Sequence, residues 1–348
     1  MGKLKIAVVG PGLIGKKHLQ LVHEEPTSCV GAIVAPDHQR HHVTASAYGV
    51  PLYHDVETML GAQELDGAII ASPNIVHVDQ GLACLEAGVP VLVEKPIAHT
   101  FDAGRRLVEM AEQRHVPLMV GHHRAHSPIM KAAREIIRNE RLGRIVAIMG
   151  SALFYKPDDY FEAGPWRKEI GGGPILINLI HEIGNLRALC GEIASVQAIS
   201  TSATRKFAVE DTAALNFEFS SGALGVFILS DTAASARSWE QTSRENPSYP
   251  AYDDEDCYVI SGTSGTLAVP TMRLKCYRDP KSRSWWKPFS LESFSVERED
   301  PLKCQLGNFL NVIQGLEAPV VSGHDGLQNL RVVEAIFESI KRKAPVSL

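Results

Sequence analysis

Three stretches carry residues whose types and spacing could do chemistry. In Gly10-Pro11-Gly12-Leu13-Ile14-Gly15, glycines at these spacings permit a tight turn, close approach of backbone to a pyrophosphate, and close packing of the following helix. The helix N-terminus then offers N–H groups and the positive end of its dipole to phosphates. Further on, Lys95 closes the apolar stretch VPVLVEK, and His181 follows a glycine run in GGGPILINLIH. Oxidising a secondary alcohol needs a hydride acceptor, removal of the hydroxyl proton, and stabilisation of charge developing on that oxygen. A lysine at the carboxyl edge of a parallel sheet can supply the charge, and a histidine can shuttle the proton. On a regular helix starting near Gly173, Asn178, His181 and Asn185 are spaced by three and four and share one face. Taken singly, each has a plainer reading. Glu94-Lys95-Pro96 alone fits a surface ion pair before a turn proline, and one histidine in an apolar helix fits a satisfied core residue.

The elements that must position these residues follow from periodicity. An apolar run at 4–9 precedes the glycine turn, and a helical pattern then runs to Val22. Strand-like segments recur at Cys29 to Ala35, Gly67 to Ala71, VPVLVEK and VPLMVG, with helical patterns at about 76–87 and 102–114. Such alternation predicts a parallel sheet covered on both faces. After Ser127 the pattern changes to a helix at 128–139 and then several strand-like segments with no helix between them, including IVAIMGSALF, TAALNFEF and GALGVFILS. That predicts a largely antiparallel sheet. An amphipathic helix at about 326–342 closes the chain. The expected fold class is α/β: an N-terminal Rossmann domain over 1–124, and a C-terminal α+β domain over 125–348 with a large, mostly antiparallel open sheet. The polar stretch 236–256, with Pro247 and Pro250, reads as a loop near substrate, and the acidic run Asp253 to Asp256 as a solvated face.

Composition narrows the partners. The 348 residues exceed one ordinary core, and a formal charge of -5 without a basic run gives no footprint for nucleic acid or an anionic membrane. No run of about 18 apolar residues could span a bilayer, and the N-terminus lacks the layout of a signal peptide. The six cysteines are scattered without a CxxC pair, which fits reduced thiols in the cytoplasm rather than disulfides or zinc. His122, His123 and His126 lack an accompanying Cys or acid cluster, so no metal is expected. The partner is then a small molecule.

The dinucleotide fingerprint also calls for an acid about 20 residues on, to hold a ribose hydroxyl. That count lands on Ala35. Asp37 can substitute for it, whereas His38 and Arg40 suit a 2'-phosphate, so NAD and NADP stay equally open.

With Ala71-Ser72-Pro73-Asn74, His77, Glu94-Lys95-Pro96 and the GGG…H block added to the glycine turn, the whole chain resembles the glucose-fructose oxidoreductase and inositol dehydrogenase (Gfo/Idh/MocA) family. The resemblance implies hydride transfer between a nicotinamide and a secondary alcohol or ketone of a sugar, an inositol-like polyol or a related cyclic hydroxy compound. It implies Lys95 and His181 as the catalytic pair. It assigns the dinucleotide to Gly10, Gly12, Leu13, Ile14, Gly15, Asp37, Arg40, Ser72, Pro73, Asn74, His77, Glu94 and Lys95. For the substrate side the candidates are His123, Arg124, Tyr155, Trp166, Arg167, Asn178 and His181. The family commonly has Asp where this chain has Asn178, and often at Asn185 too. An asparagine is no carboxylate base, which leaves His181 as the proton acceptor and Asn178 as a hydrogen-bonding residue. Lys156 and Arg167 together suggest a carboxylate on the substrate. A homodimer or homotetramer through the C-terminal sheet is expected, since an open sheet needs a covered face. Two other functions fit the same blocks: a dinucleotide-binding sensor without turnover, and an enzyme using bound NAD transiently to cleave a glycoside.

Overall fold

The computed structural model describes residues 2–348. Its first six strands, β1 (Leu4–Val9), β2 (Ser28–Val34), β3 (Leu52–Tyr53), β4 (Gly67–Ile70), β5 (Val91–Glu94) and β6 (Leu118–Gly121), form one sheet in the order β3-β2-β1-β4-β5-β6. Every pairing in it is parallel. Helices α1 (Leu13–Glu24), α2 (His38–Tyr48), α3 (Val56–Ala62), α4 (His77–Glu86) and α5 (Phe101–Arg114) make the crossovers. Alternate strand residues feed two cores. Ala7, Val9, Ala68, Ile70 and Val93 pack with α3, α4 and α5 through Met59, Leu85 and Leu107, while Ile6, Val8, Ile69 and Leu92 pack with Leu19 and Val22 of α1.

After α6 (Pro128–Arg138), β7 (Ile145–Leu153), α7 (Asp158–Glu162), α8 (Ile180–Cys190), β8 (Ile193–Thr201), β9 (Thr212–Phe219), β10 (Leu224–Ser230), α9 (Trp239–Ser243), β11 (Tyr258–Gly262), β12 (Gly265–Val269), β13 (Arg273–Cys276) and β14 (Ser290–Ser293) complete most of a second sheet. Helices α10 (Pro301–Ile313) and α11 (Gly323–Arg342) follow, and β15 (Val346–Ser347) adds the last edge. This nine-stranded sheet runs β14-β13-β12-β11-β7-β10-β9-β8-β15, antiparallel except where β7 and β10 run parallel. One face is core: Ile148, Leu215, Phe217 and Phe227 pack with Ile183 and Leu186 of α8 and Ile336 of α11. The other face exposes Met149, Ile199, Leu224, Val226 and Ile228.

The chain groups into two compact units, 1–126 with 301–330, and 127–300 with 331–348. A single crossing near residue 124 therefore does not describe it. The reason is α10, whose Leu306, Phe309, Leu310 and Val312 fill the core beneath Ile6, Val8 and Ile69 of the parallel sheet. No described helix is long and apolar enough to cross a membrane.

The stretch expected as a loop near substrate is only partly internal: 246–254 is an exposed loop, while the short helix α9 and its neighbours pack inward. Ser238, Trp239, Thr242, Ser243, Glu245 and Asp256 are buried. Glu245 accepts hydrogen bonds from Ser127 Oγ and Trp239 Nε1. In the acidic run Asp253 and Asp254 are exposed, as expected, but Asp256 is not: its Oδ1 accepts from Thr271 N at 3.0 Å and Oγ1 at 2.6 Å, and its Oδ2 pairs with Arg273 at 2.5 Å. Polar side chains spent on one another look like a solvated loop in sequence and form a buried network in space.

Candidate functional site

In the first unit, the glycine turn joins β1 to α1. Gly10 has φ +83, and a Cβ there would lie 2.6 Å from Ser72 Cα, while one on Gly15 would lie 2.1 Å from Gly10 O. Both positions are closed by the protein's own backbone. A Cβ on Gly12, in contrast, meets nothing within 4 Å. Gly12 is also the N-cap of α1 and has no side chain to satisfy the first-turn N–H groups. Open space over unsatisfied donors at a helix N-terminus is what a pyrophosphate requires, so these residues fit the dinucleotide phosphates. Leu13 is exposed and Ile14 half-buried beside them.

Ala35 is buried after β2, and Asp37, His38 and Arg40 are exposed. Asp37 caps α2, its Oδ1 accepting from Arg40 N at 3.0 Å. Ser72 is half-buried and donates to Gln80 Oε1 at 2.5 Å; Pro73 is exposed, and half-buried Asn74 opens a short 3-10 turn. His77, assigned to the cofactor by resemblance, is buried with Nε2 2.8 Å from the Ser72 carbonyl oxygen and Nδ1 3.0 Å from that of Pro96. Its ring ties the loop after β4 to the loop after β5. Burial holds it below the ordinary histidine pKa, against the pull of those two carbonyls and of Glu94.

Glu94 is buried at the end of β5. His18 Nε2 donates to its Oε1 at 2.8 Å, and Lys95 N to its Oε2 at 3.3 Å. A Cβ on Gly121 would lie 2.8 Å from its Cδ, so glycine there gives the carboxylate room. Glu94 thus fixes the backbone that carries half-buried Lys95, and His18 fixes Glu94. Sequence reasoning missed His18. The available signal was its place three residues beyond Gly15, on the inward face of α1 with Leu19 and Val22.

His123 and Arg124 lie in a short 3-10 turn after β6, the first half-buried and the second buried. Burial, with the charges of Arg124 and Lys95 and the nearby His122 and His126, holds the His123 imidazole well below its ordinary range. Among the described residues no group of three His, Cys, Asp or Glu side chains is arranged to hold a metal ion.

In the second unit, the glycine run makes room for a carboxylate that sequence reasoning also missed. A Cβ on Gly173 would sit 2.4 Å from Glu210 Oε1, and one on Gly172 would sit 2.3 Å from Trp166 O. Glu210 accepts from Ile175 N at 2.9 Å, satisfying a first-turn donor of the helix that leads into α8. Burial pushes the Glu210 carboxyl above its usual range.

That helix is not regular. Ile175–Leu179 is a π turn, and α8 continues from Ile180. Asn178 lies in the wide turn, half-buried, and accepts from Lys156 Nζ at 2.7 Å. His181 is buried in the next turn. Asn185 does not join them in a common polar role: its Nδ2 donates to Tyr258 Oη at 3.0 Å, and the Tyr258 hydroxyl donates to Glu182. All three are buried in the core.

Around Asn178 stands a charged cluster. Lys156 Nζ is 3.6 Å from Asp231 Oδ2, Arg205 Nε donates to Asp231 Oδ1 at 2.8 Å, and Arg205 also donates to the Lys156 carbonyl at 2.7 Å. Asp211 accepts from the backbone of Thr204 and Arg205. Burial raises the Asp231 carboxyl above its ordinary range, outweighing the pull of Lys156 and Arg205. Arg205 stacks over the rings of Tyr155 and Phe161. Arg167 lies 3.9 Å from the centre of the Tyr160 ring and donates to the Tyr160 carbonyl. Tyr155 and Trp166 are exposed. Lys156 thus has internal partners in Asn178 and Asp231, whereas Arg167 donates to the Tyr160 carbonyl and keeps its Nε buried without a partner among the described residues.

With this geometry in hand, the chain was compared with known proteins. Residues 4–122 match the oxidoreductase family model with an NAD-binding Rossmann fold, and residues 130–268 match the GFO/IDH/MocA C-terminal domain. The rhizopine catabolism protein MocA of Rhizobium meliloti is 25% identical over 347 residues, covering 98% of this chain and 96% of the relative. D-apiose dehydrogenase of Paraburkholderia graminis is 25% identical over 362 residues, covering 99% and 90%. An oxidoreductase from Agrobacterium radiobacter, solved with NAD+, L-tartaric acid and magnesium, superposes with a TM-score of 0.81 at 20% identity over 99% of this chain and 98% of its own. Matching family models in both units, on the fold that its glycine turn and mixed sheet build, make this chain a member of the Gfo/Idh/MocA family of NAD-binding oxidoreductases.

Proposed function

We propose that the protein is a dehydrogenase using NAD or NADP to interconvert a secondary alcohol and a ketone in a sugar or inositol-like polyol. The observation that carries the reading is the glycine turn, closed by backbone at Gly10 and Gly15 and open at Gly12 over the N-terminus of α1. The full-length likeness to a D-apiose dehydrogenase supports the substrate class. A bound nicotinamide supplies the hydride acceptor or donor. Gly10, Gly12, Leu13, Ile14 and Gly15 hold the pyrophosphate, with Ser72, Pro73 and Asn74 beside them, and Asp37 or Arg40 faces the adenosine ribose. Lys95, on a backbone fixed by Glu94, stabilises negative charge on the reacting oxygen, and His181 takes up or returns the hydroxyl proton. His123, Arg124, Tyr155, Trp166, Arg167 and Asn178 form the substrate wall.

Two further parts of the reading concern setting and assembly. All six cysteines are free and four are buried, with the Cys84 and Cys190 thiols pushed up to about 12 by burial, which suits a reducing cytoplasm. The exposed apolar row of the second sheet suits a second copy of the chain, giving a homodimer or homotetramer.

The test is absorbance at 340 nm with NAD+ and NADP+ against myo-inositol, D-xylose and D-apiose. Lys95→Ala and His181→Ala should each lower kcat by about a hundredfold or more while cofactor affinity stays close to wild type. Near-normal turnover in either variant refutes its assigned role.

A further inference from the structure

Lys156 is a buried lysine in the segment that follows β7, and its Nζ lies 2.7 Å from an amide oxygen. An ammonium group has three donors and no acceptor, so the Asn178 atom 2.7 Å from Nζ must be its carbonyl oxygen. That contact fixes the direction of the carboxamide: with Oδ1 on the lysine, Nδ2 points the other way. Nδ2 makes no hydrogen bond to any described residue and is not among the buried polar atoms, so it is an accessible donor. Lys156 is in turn held by Asp231, and Asp231 by Arg205. The two cations are matched by Asp231 and Asp211, both buried, so the cluster carries little surplus positive charge with which to hold an anion.

We infer that Lys156 is a positioning residue that locks Asn178 as a hydrogen-bond donor to a substrate oxygen, selecting a neutral hydroxyl or carbonyl oxygen at that place. The inference rests on the dehydrogenase reading for the substrate and on geometry alone for the lock. It explains how an asparagine serves where an acid would accept a proton. The amide cannot act as a base, but the lysine prevents it from flipping and turns it into a fixed donor. The lock takes part in orientation only; proton transfer belongs to His181.

The lock is tested without substrate on the full chain, labelled with 15N at asparagine. The Asn178 side-chain NH2 pair, assigned by its disappearance in Asn178→Asp, should be sharp and free of exchange broadening in the wild type. In Lys156→Met it should shift and broaden as the amide begins to flip, and in Lys156→Arg it should return towards the wild-type positions. A folded Lys156→Met, by circular dichroism, with an unchanged Asn178 pair overturns the inference. If the Met variant does not fold, Lys156→Arg against Lys156→Gln gives the same comparison. With myo-inositol, D-xylose or D-apiose as the turned-over probe, Lys156→Met should raise KM about tenfold, the size of one lost hydrogen bond, with a smaller change in kcat. Unchanged KM there also overturns the inference. Turnover that survives Lys95→Ala and His181→Ala refutes the dehydrogenase roles and leaves an observed amide lock standing.

Discussion

At the scale of single residues, the protein sets titration and orientation by contacts that cost it nothing in regular structure. His123 is an example. Burial, the charges of Arg124 and Lys95, and the neighbouring His122 and His126 hold its imidazole well below the ordinary histidine pKa. Between its ordinary and its lowered pKa the unfolded chain binds a proton that the folded chain does not. The contribution of His123 to stability is therefore complete above about pH 6.5 and is lost as the pH falls through that window. Urea unfolding from pH 7.5 down to 5 should show stability falling with acid, by at most about 1.4 kcal/mol per pH unit from this group. His123→Asn should flatten the slope, and the difference between the two slopes isolates His123 from the acids of the second unit. Equal slopes would contradict the assignment. At this scale the sequence was readable where the constraint is local. Gly10, Gly12 and Gly15 are a turn and a helix start in consecutive residues, and their roles follow from spacing. Glu210 and His18 were not readable, because each acts on a partner distant in sequence, on Ile175 and Glu94. The Gly172-Gly173 pair was visible as a signature, but its cause, the close approach of Trp166 and Glu210, exists only in the folded chain.

At the scale of elements, periodicity gave the parallel sheet and most of the second sheet because their strands are buried runs or strict alternations. The same periodicity assumed one regular helix from Gly173 onwards. The π turn at Ile175–Leu179 takes Asn178 out of the helical phase of His181 and Asn185, and Asn185 bonds Tyr258 in the core. Helix α10 went unrecognised although its apolar residues recur at helical spacing, since residues so far from the glycine turn gave no hint that they return to its sheet. Phe309 is its anchor: fully buried, with its ring edge 3.1 Å from where a Gly67 Cβ would be. Phe309→Ala should cost about 3–5 kcal/mol of stability, a loss measurable by urea unfolding. A cost under about 1 kcal/mol would mean that α10 is only loosely attached.

At the scale of the whole molecule, the second sheet sets the argument for assembly. Met149 and Val226 are directly paired across β7 and β10 and are 58% and 50% exposed. With Ile199, Leu224 and Ile228 they make an apolar surface of the kind that marks an interface. Val226→Asp should shift the mass measured by light scattering to that of the single chain, with the far-ultraviolet spectrum unchanged. A wild-type protein that already has the mass of a single chain, or a variant that keeps the wild-type mass, would refute the proposed interface.

The two-segment construction of the first unit also governs the order in which a ribosome can deliver it. Residues 1–126 supply all six strands of the parallel sheet, but Leu306, Phe309 and Leu310, which cover one of its faces, lie beyond the whole second sheet up to β14. During synthesis Ile6, Val8 and Ile69 must wait, part of their surface wet, until more than 170 further residues have been added between Ser127 and Asp300. The nascent dinucleotide-binding sheet is thus a client for whatever shields apolar surface at the exit tunnel, and a chain halted before residue 301 would retain that exposed face.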